Sequence, residues 1–167
     1  PSVFSNLPRL LERAGNSANG SITGVYTVLV EGDDLNEPIS DAARGILDGH
    51  IVLSRDLAGK GQYPAIDINE SVSRAMPGVV SGDHLTAANQ LRELMSVYRD
   101  NEEIINLGAY ARGSNPQLDR ALNIKPHLDS FINQHRGDYI SFNETVNRLY
   151  TLQREARADT RGRLGLA

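Results

Sequence analysis

The chain has 167 residues, enough for one ordinary domain or two small lobes. Hydrophobic residues make up 40%, so a real core is expected, and a net charge of -4 speaks against the basic face of a general nucleic-acid binder. With no cysteine there are no disulfides and no thiolate metal sites.

No apolar run approaches the roughly 20 residues of a membrane span, and no charged-then-apolar leader opens the chain. It begins at Pro1 with no initiator methionine, so it reads as a piece of a longer protein.

"PSVFSNLPRLLERAG" reads as a helix: Val3, Phe4, Leu7, Leu10 and Leu11 recur at helical spacing, and Gly15 is a stop signal. "NSANG" is a loop. "SITGVYTVLVEG" is apolar on both alternating faces, with Ile22, Tyr26, Val28 and Val30 on one and Val25 and Leu29 on the other. "GHIVLSR" behaves alike. Strands buried on both faces belong to helix-covered, usually parallel sheets. The intervening "DDLNEPISDAARGILDG" has room for a crossover with one short helix. Two such strands predict the edge of an α/β sheet whose other strands lie upstream.

"YPAIDINESVSRAM" is a turn-like segment. Asp67 is a candidate cap for a short helical turn that presents Arg74 at its end. From "SGDHLTAANQ" onward the period is helical. Asp83 is the expected cap, and Leu85, Ala88, Leu91, Leu94, Met95, Tyr98 and Ile105 form one stripe ending near Gly108. After the "RGSNPQ" loop, Ser114 is the expected cap of a second helix through Leu118, Ala121, Leu122, Leu128, Phe131 and Ile132, kinked or split at Pro126. "SFNE" fits a capping box at Ser141 and Glu144, opening a third helix over 142–157. The expected division is 1–80 and 81–167.

Few residues carry chemistry on spacing alone. The phosphate cradle G-x-x-x-x-G-K-[ST] is absent, and "GNSANGS" reads as a surface loop. His50, His84, His127 and His135 never fall at zinc-ligand spacing, so no metal site is expected. The cluster Glu31 to Asp34 follows a strand end. It suits either a magnesium or water-positioning role or a solvated turn. Arg55 has Asp56 beside it for a local ion pair. Arg74 suits either an anion site or a structural salt bridge, and Tyr63 either a rigid Tyr-Pro turn or a face for a base.

Four stretches together carry a resemblance: "PSVFSNLPRLLERAG", "GSITGVYTVLVEGDDLNEPISDAARGILDGHIVLSR", "YPAIDINESVSRAM" and "NLGAYARGSNPQLDRAL". They resemble the C-terminal part of the flagellar export ATPases. These are type III secretion ATPases, relatives of the catalytic and non-catalytic subunits of rotary ATP synthase. The likeness runs from Pro1 to about residue 152; the stretch "QREARADTRGRLGLA" lies outside the family pattern.

The resemblance implies the α/β edge of a RecA-like P-loop ATPase domain followed by an all-α helical domain. It places the phosphate-binding loop, the magnesium-side aspartate and the catalytic glutamate upstream of Pro1, so the chain by itself should not hydrolyse ATP. "SVSR" matches the arginine-finger segment, making Arg74 the residue that reaches a neighbouring subunit's ATP. Tyr63 matches the aromatic that packs on adenine, and Phe142 of "YISFNET" is similar to the second aromatic of that pocket. Finger and base-packing motifs in one chain imply a ring of identical subunits, the homohexamer of the family, using ATP with Mg2+.

Implied partners are the stalk and regulator proteins, export chaperones and substrates, and the export gate. The implied location is cytoplasmic, peripheral at the inner-membrane export apparatus. Two alternatives stand beside this reading: the ATPase of a virulence secretion system, and a non-enzymatic helical module that docks stalk or chaperone proteins.

Overall fold

A computed structural model describes residues 2–30, 32 and 34–163, with side-chain surroundings from residue 6 to residue 158, positions 31 and 33 excepted. The chain divides into two compact units. One comprises Pro1–His50 with Val72–Ala75, the other Ile51–Ser71 with Met76–Ala167.

In the first unit, α1 (Ser2–Leu11) carries Pro8 inside the helix and ends four residues before Gly15. The "GNSANGS" segment is a hairpin, β1 (Gly15–Ser17) paired antiparallel with β2 (Gly20–Ile22) around a two-residue turn. The expected long strand is not formed. Beyond β2, residues 23–30 have no regular structure, and Val25 and Leu29 are about nine-tenths exposed at 91% and 90%. An apolar run becomes a strand only where neighbours accept and donate its ladder bonds. Among the described residues none lies alongside 23–30 in a sheet. Helix α2 (Pro38–Ile46) fills the connection, opened by Pro38 at its first turn, and packs on α1. Leu11, Ser40 and Ala43 are buried.

The second strand expectation holds in part: β3 (Gly49–Leu53) forms, but pairs in a two-stranded sheet with β4 (Ile66–Ser73), where a helical turn was expected. Ile51 and Leu53 stay exposed. Between these strands lie α3 (Arg55–Gly59) and a cis peptide at Tyr63-Pro64. Asp56 pairs with Lys60 at 3.0 Å. Asp67 does cap, but within the strand: its Oδ1 accepts from the backbone N–H groups of Asn69 and Glu70.

The remaining helices are α4 (Met76–Val79), α5 (Gly82–Asp100), α6 (Glu102–Asn106), α7 (Pro116–Ile132) and α8 (Phe142–Arg163). Their caps shift from the expected residues. Ser81, not Asp83, accepts from the His84 N–H to start α5, and Asn115, not Ser114, accepts from Gln117 and Leu118 to start α7. Asn115 wins because Pro116 follows it at the first helical position. Pro126 lies inside an unbroken α7. Ser141 caps α8 through the Glu144 N–H, while the Glu144 carboxylate pairs with Arg148 one turn on.

Helices α5, α7 and α8 pack pairwise around one apolar core of Ala87, Leu91, Leu94, Ala121, Ile124, Leu128, Leu149 and Leu152. Met95, Tyr98 and Phe131 close its margins.

Candidate functional site

Arg74 follows the end of β4. Its backbone N–H donates to the Asp48 carbonyl at 2.8 Å, which fixes the direction in which its side chain leaves the strand. The guanidinium then meets the C-terminal end of α2. Nη1 donates to the carbonyls of Gly45 (3.2 Å) and Leu47 (3.3 Å), and Nη2 to that of Arg44 (3.1 Å). The last carbonyls of a helix have no partner within it, and the helix dipole makes that end attractive to a cation. Of the two sequence-level readings, the carboxylate salt bridge is therefore not found: among the described residues, the guanidinium's partners are backbone carbonyls. The side chain remains exposed. A guanidinium has five N–H donors, more than these bonds require.

Tyr63 belongs to the other compact unit. Two backbone bonds clip it to the residues after α7: its N–H donates to Asn133 Oδ1 at 3.0 Å, and its carbonyl accepts from the Gln134 N–H at 2.8 Å. The residue is 57% exposed, so the clip does not bury it. Phe142, the first residue of α8, is also largely exposed; its ring centroid lies 6.2 Å from that of His84. Among the described residues this is the ring pair that Phe142 makes, and Tyr63 is not brought against it.

Glu31 and Asp33 lie outside the described residues. Asp34 accepts from the Asn36 N–H at 2.9 Å, the bond of a turn. Among the described residues no group of His, Asp or Glu could hold a metal ion, and no helix is long and apolar enough to cross a membrane.

Two constellations escape sequence reading because their partners are far apart in the chain. Asp119, in the first turn of α7 and 2% exposed, accepts from the Tyr110 hydroxyl at 3.0 Å and the Gly113 N–H at 2.9 Å, folding the loop before α7 back on the helix. Arg92 and Arg99 of α5 both reach β4, at residues 67–71. Their seven-residue spacing, two helical turns, was the one available signal.

Comparisons with known proteins agree with the resemblance. Residues 1–73 match the ATP synthase alpha/beta family, nucleotide-binding domain, and residues 80–151 match the T3SS EscN ATPase C-terminal domain. The flagellum-specific ATP synthase of Bacillus subtilis (strain 168) is 51% identical over 152 residues, 91% of this chain and 35% of the relative. The assembled ATPase EscN from the enteropathogenic E. coli type III secretion system superposes with a TM-score of 0.87 at 46% identity, covering 92% of this chain and 37% of that one. EscN in complex with its central stalk EscO superposes with a TM-score of 0.81 at 44% identity, covering 92% and 36%. The chain thus spans about a third of the length of the curated relatives it matches.

Proposed function

Since the chain belongs to the family of flagellar and type III secretion ATPases, we propose that it is the distal part of an ATP-hydrolysing motor subunit for protein export. In this reading residues 1–80 are the far edge of a RecA-like nucleotide-binding domain, and 81–167 are the helical domain. The family spans 1–73 and 80–151 support that division.

The observation that carries the proposal is Arg74. An exposed guanidinium held on helix carbonyls keeps its full charge, with donors left for a phosphoryl oxygen. Arg74 then serves as the finger that reaches a neighbouring subunit's ATP in a hexameric ring. Tyr63 and Phe142 serve the adenine of the chain's own site, brought together when nucleotide is bound. ATP arrives with Mg2+, held by residues of the longer subunit. Attack of water on the γ-phosphate spreads charge over its oxygens. A cation positioned there lowers the barrier more than it strengthens ground-state binding.

The stalk complex of EscN supports a stalk-facing role for the helical domain. Regulator proteins, export chaperones, substrates and the export gate complete the proposed partners, with the enzyme cytoplasmic and peripheral at the inner-membrane export apparatus. Higher identity to the Bacillus subtilis flagellar protein than to EscN favours flagellar export over a virulence system.

The test is made in the longer subunit that carries a phosphate-binding loop. Arg74→Ala should cut kcat by about 10³-fold with ATP affinity little changed, and Arg74→Lys should not restore it. Mixed rings of Arg74→Ala subunits with subunits lacking the phosphate-loop lysine should recover part of the turnover, because finger and phosphate loop meet across an interface. Equal loss of affinity and turnover, unchanged turnover, or no recovery on mixing would sink the finger role. A longer subunit without ATPase activity would favour the docking-module reading instead.

A further inference from the structure

Tyr63 is held by the loop that follows α7. The helix ends at Ile132, and Asn133 caps it in extended backbone, its N–H donating to the Asp129 carbonyl at 2.9 Å. That leaves the Asn133 side chain to bond outside the helix. Its Oδ1 accepts from the Tyr63 N–H at 3.0 Å, and the next residue, Gln134, donates its N–H to the Tyr63 carbonyl at 2.8 Å. Beyond that point the loop closes on itself. Asp138 Oδ2 accepts from the His135 N–H at 3.0 Å, the Asp138 N–H donates to the His135 carbonyl at 3.0 Å, and Gln134 Nε2 donates to the Asp138 carbonyl at 3.3 Å. The loop ends at Ser141, which caps α8 at Phe142. All these residues belong to one compact unit.

A residue pinned at both its N–H and its carbonyl has the peptide planes on either side of it fixed. The positions of N, Cα and C then set the direction of the Cα–Cβ bond, from which the phenol ring departs. The flanking chain is tied elsewhere: the Gln62 N–H donates to the Leu57 carbonyl at 3.0 Å, and the Ala65 carbonyl accepts from the Ser54 N–H at 2.9 Å. Between those anchors, the bonds to Asn133 and Gln134 hold the Tyr63 backbone. Only the Asn133 bond comes from a side chain, so a substitution can remove it alone. One exposed hydrogen bond adds little to global stability, and its effect is local. A ring whose base is already fixed loses less freedom when a ligand packs on it.

We propose that Asn133 is a positioning residue for Tyr63: by pinning the tyrosine's backbone it raises affinity for the adenine base without touching the nucleotide. The consequence for binding rests on the adenine reading of Tyr63; the clip itself does not.

The first arm uses the 167-residue chain. Amide hydrogen exchange is compared for wild type, Asn133→Ala and Asn133→Asp. Asn133→Ala should speed exchange of the Tyr63 and Gln134 amides by about fivefold and leave the core amides of Leu91, Leu94 and Ile124 unchanged. Asn133→Asp keeps an acceptor oxygen on the same short side chain and should stay within about twofold of wild type. Tyr63 and Gln134 amides within about twofold of wild type in Asn133→Ala, or core amides accelerated by the same factor, overturn the clip.

The second arm uses the longer subunit that carries a phosphate-binding loop. Dissociation constants are measured for MgATP and for magnesium tripolyphosphate, which has the phosphates but no base. Asn133→Ala should weaken MgATP by about fivefold, a part of what stacking on an aromatic supplies, and leave tripolyphosphate within about twofold. KM for ATP should rise with kcat unchanged, and Asn133→Asp should restore both MgATP affinity and KM. Unchanged MgATP affinity in Asn133→Ala, equal weakening of the two ligands, or no recovery in Asn133→Asp overturns the positioning role. If Tyr63→Ala leaves the ratio of the two affinities unchanged while the exchange arm succeeds, the adenine reading fails and the clip stands.

Discussion

At the scale of single residues, charged side chains are used in opposite ways. Arg74 keeps its charge exposed on helix carbonyls, whereas Asp119 is sunk to 2% exposure and satisfied by a hydroxyl and an N–H. Asp119→Asn keeps the shape but replaces one of the two acceptor oxygens that meet the Tyr110 hydroxyl and the Gly113 N–H with an NH2 group, and removes the charge that strengthens both bonds. The expected cost is about 1–3 kcal/mol in urea unfolding, and Tyr110→Phe should cost less, because it removes one donor and leaves the carboxylate its N–H partner. Equal costs would show that the hydroxyl, not the carboxylate, organises the loop. Lys60 offers a pH test. Its pKa is raised from 10.5 by the Asp56 hydrogen bond first and by Glu102 second. A raised lysine contributes its stability in full below 10.5 and loses it as pH climbs through the higher folded value. Lys60→Gln should therefore keep its full deficit against wild type up to pH 10.5 and narrow it only above that, by a small margin because the pair is exposed and screened by salt. Arg74, Tyr63 and Phe142 stood out as candidates because each sits in a short contiguous motif. Asp119 did not: a carboxylate in a helix's first turn looks like dipole compensation, and its burial depends on Tyr110 folding back across the loop.

At the scale of elements, the helices were read well and the strands poorly, for a physical reason. An amphipathic helix closes its own backbone bonds, so the stripe Leu91, Leu94, Met95 and Tyr98 suffices to place α5 against the core. A strand needs partners that the local sequence does not contain. Residues 23–30, apolar on both faces, stay irregular, while the more polar "IDINESVS" becomes β4 because β3 lies beside it. Gly49 is where that pairing is tightest: a Cβ there would stand 2.5 Å from the Val72 carbonyl oxygen and 3.2 Å from Ser73 Cα. Backbone cannot swing aside as a side chain can. Gly49→Ala should therefore cost about 1–3 kcal/mol and loosen the Arg74 N–H bond to Asp48, seen as faster exchange of the Arg74 amide. Gly45→Ala, which meets nothing within 4 Å, is the matched control. Equal effects from both would mean that helix propensity, not the close approach, controls this region.

At the scale of the whole molecule, stability is unevenly distributed along the chain. Among the described residues, the main apolar cluster belongs to α5, α7 and α8, so exchange protection should peak in those helices and approach zero at 23–30, where Val25 and Leu29 face solvent. The proposed chemistry depends on parts that meet only in the assembled motor: a finger for a neighbour's phosphate and aromatics for an adenine. Neither part can hold nucleotide alone. Stacking on one exposed aromatic is worth about 1–3 kcal/mol, whereas micromolar affinity needs about 8 kcal/mol. The arginine's exposed charge cannot bridge that gap in salt. Calorimetric titration of Mg-ATP into the 167-residue chain should therefore give no micromolar binding isotherm, and phosphate release should stay at background. Adding the chain to longer subunits that carry Arg74→Ala should restore turnover only if it enters the ring and offers its own Arg74, so the Arg74→Ala form of the chain must fail in that assay. Tight binding by the chain alone would place a complete phosphate site within these residues and overturn the division of labour on which the finger reading depends.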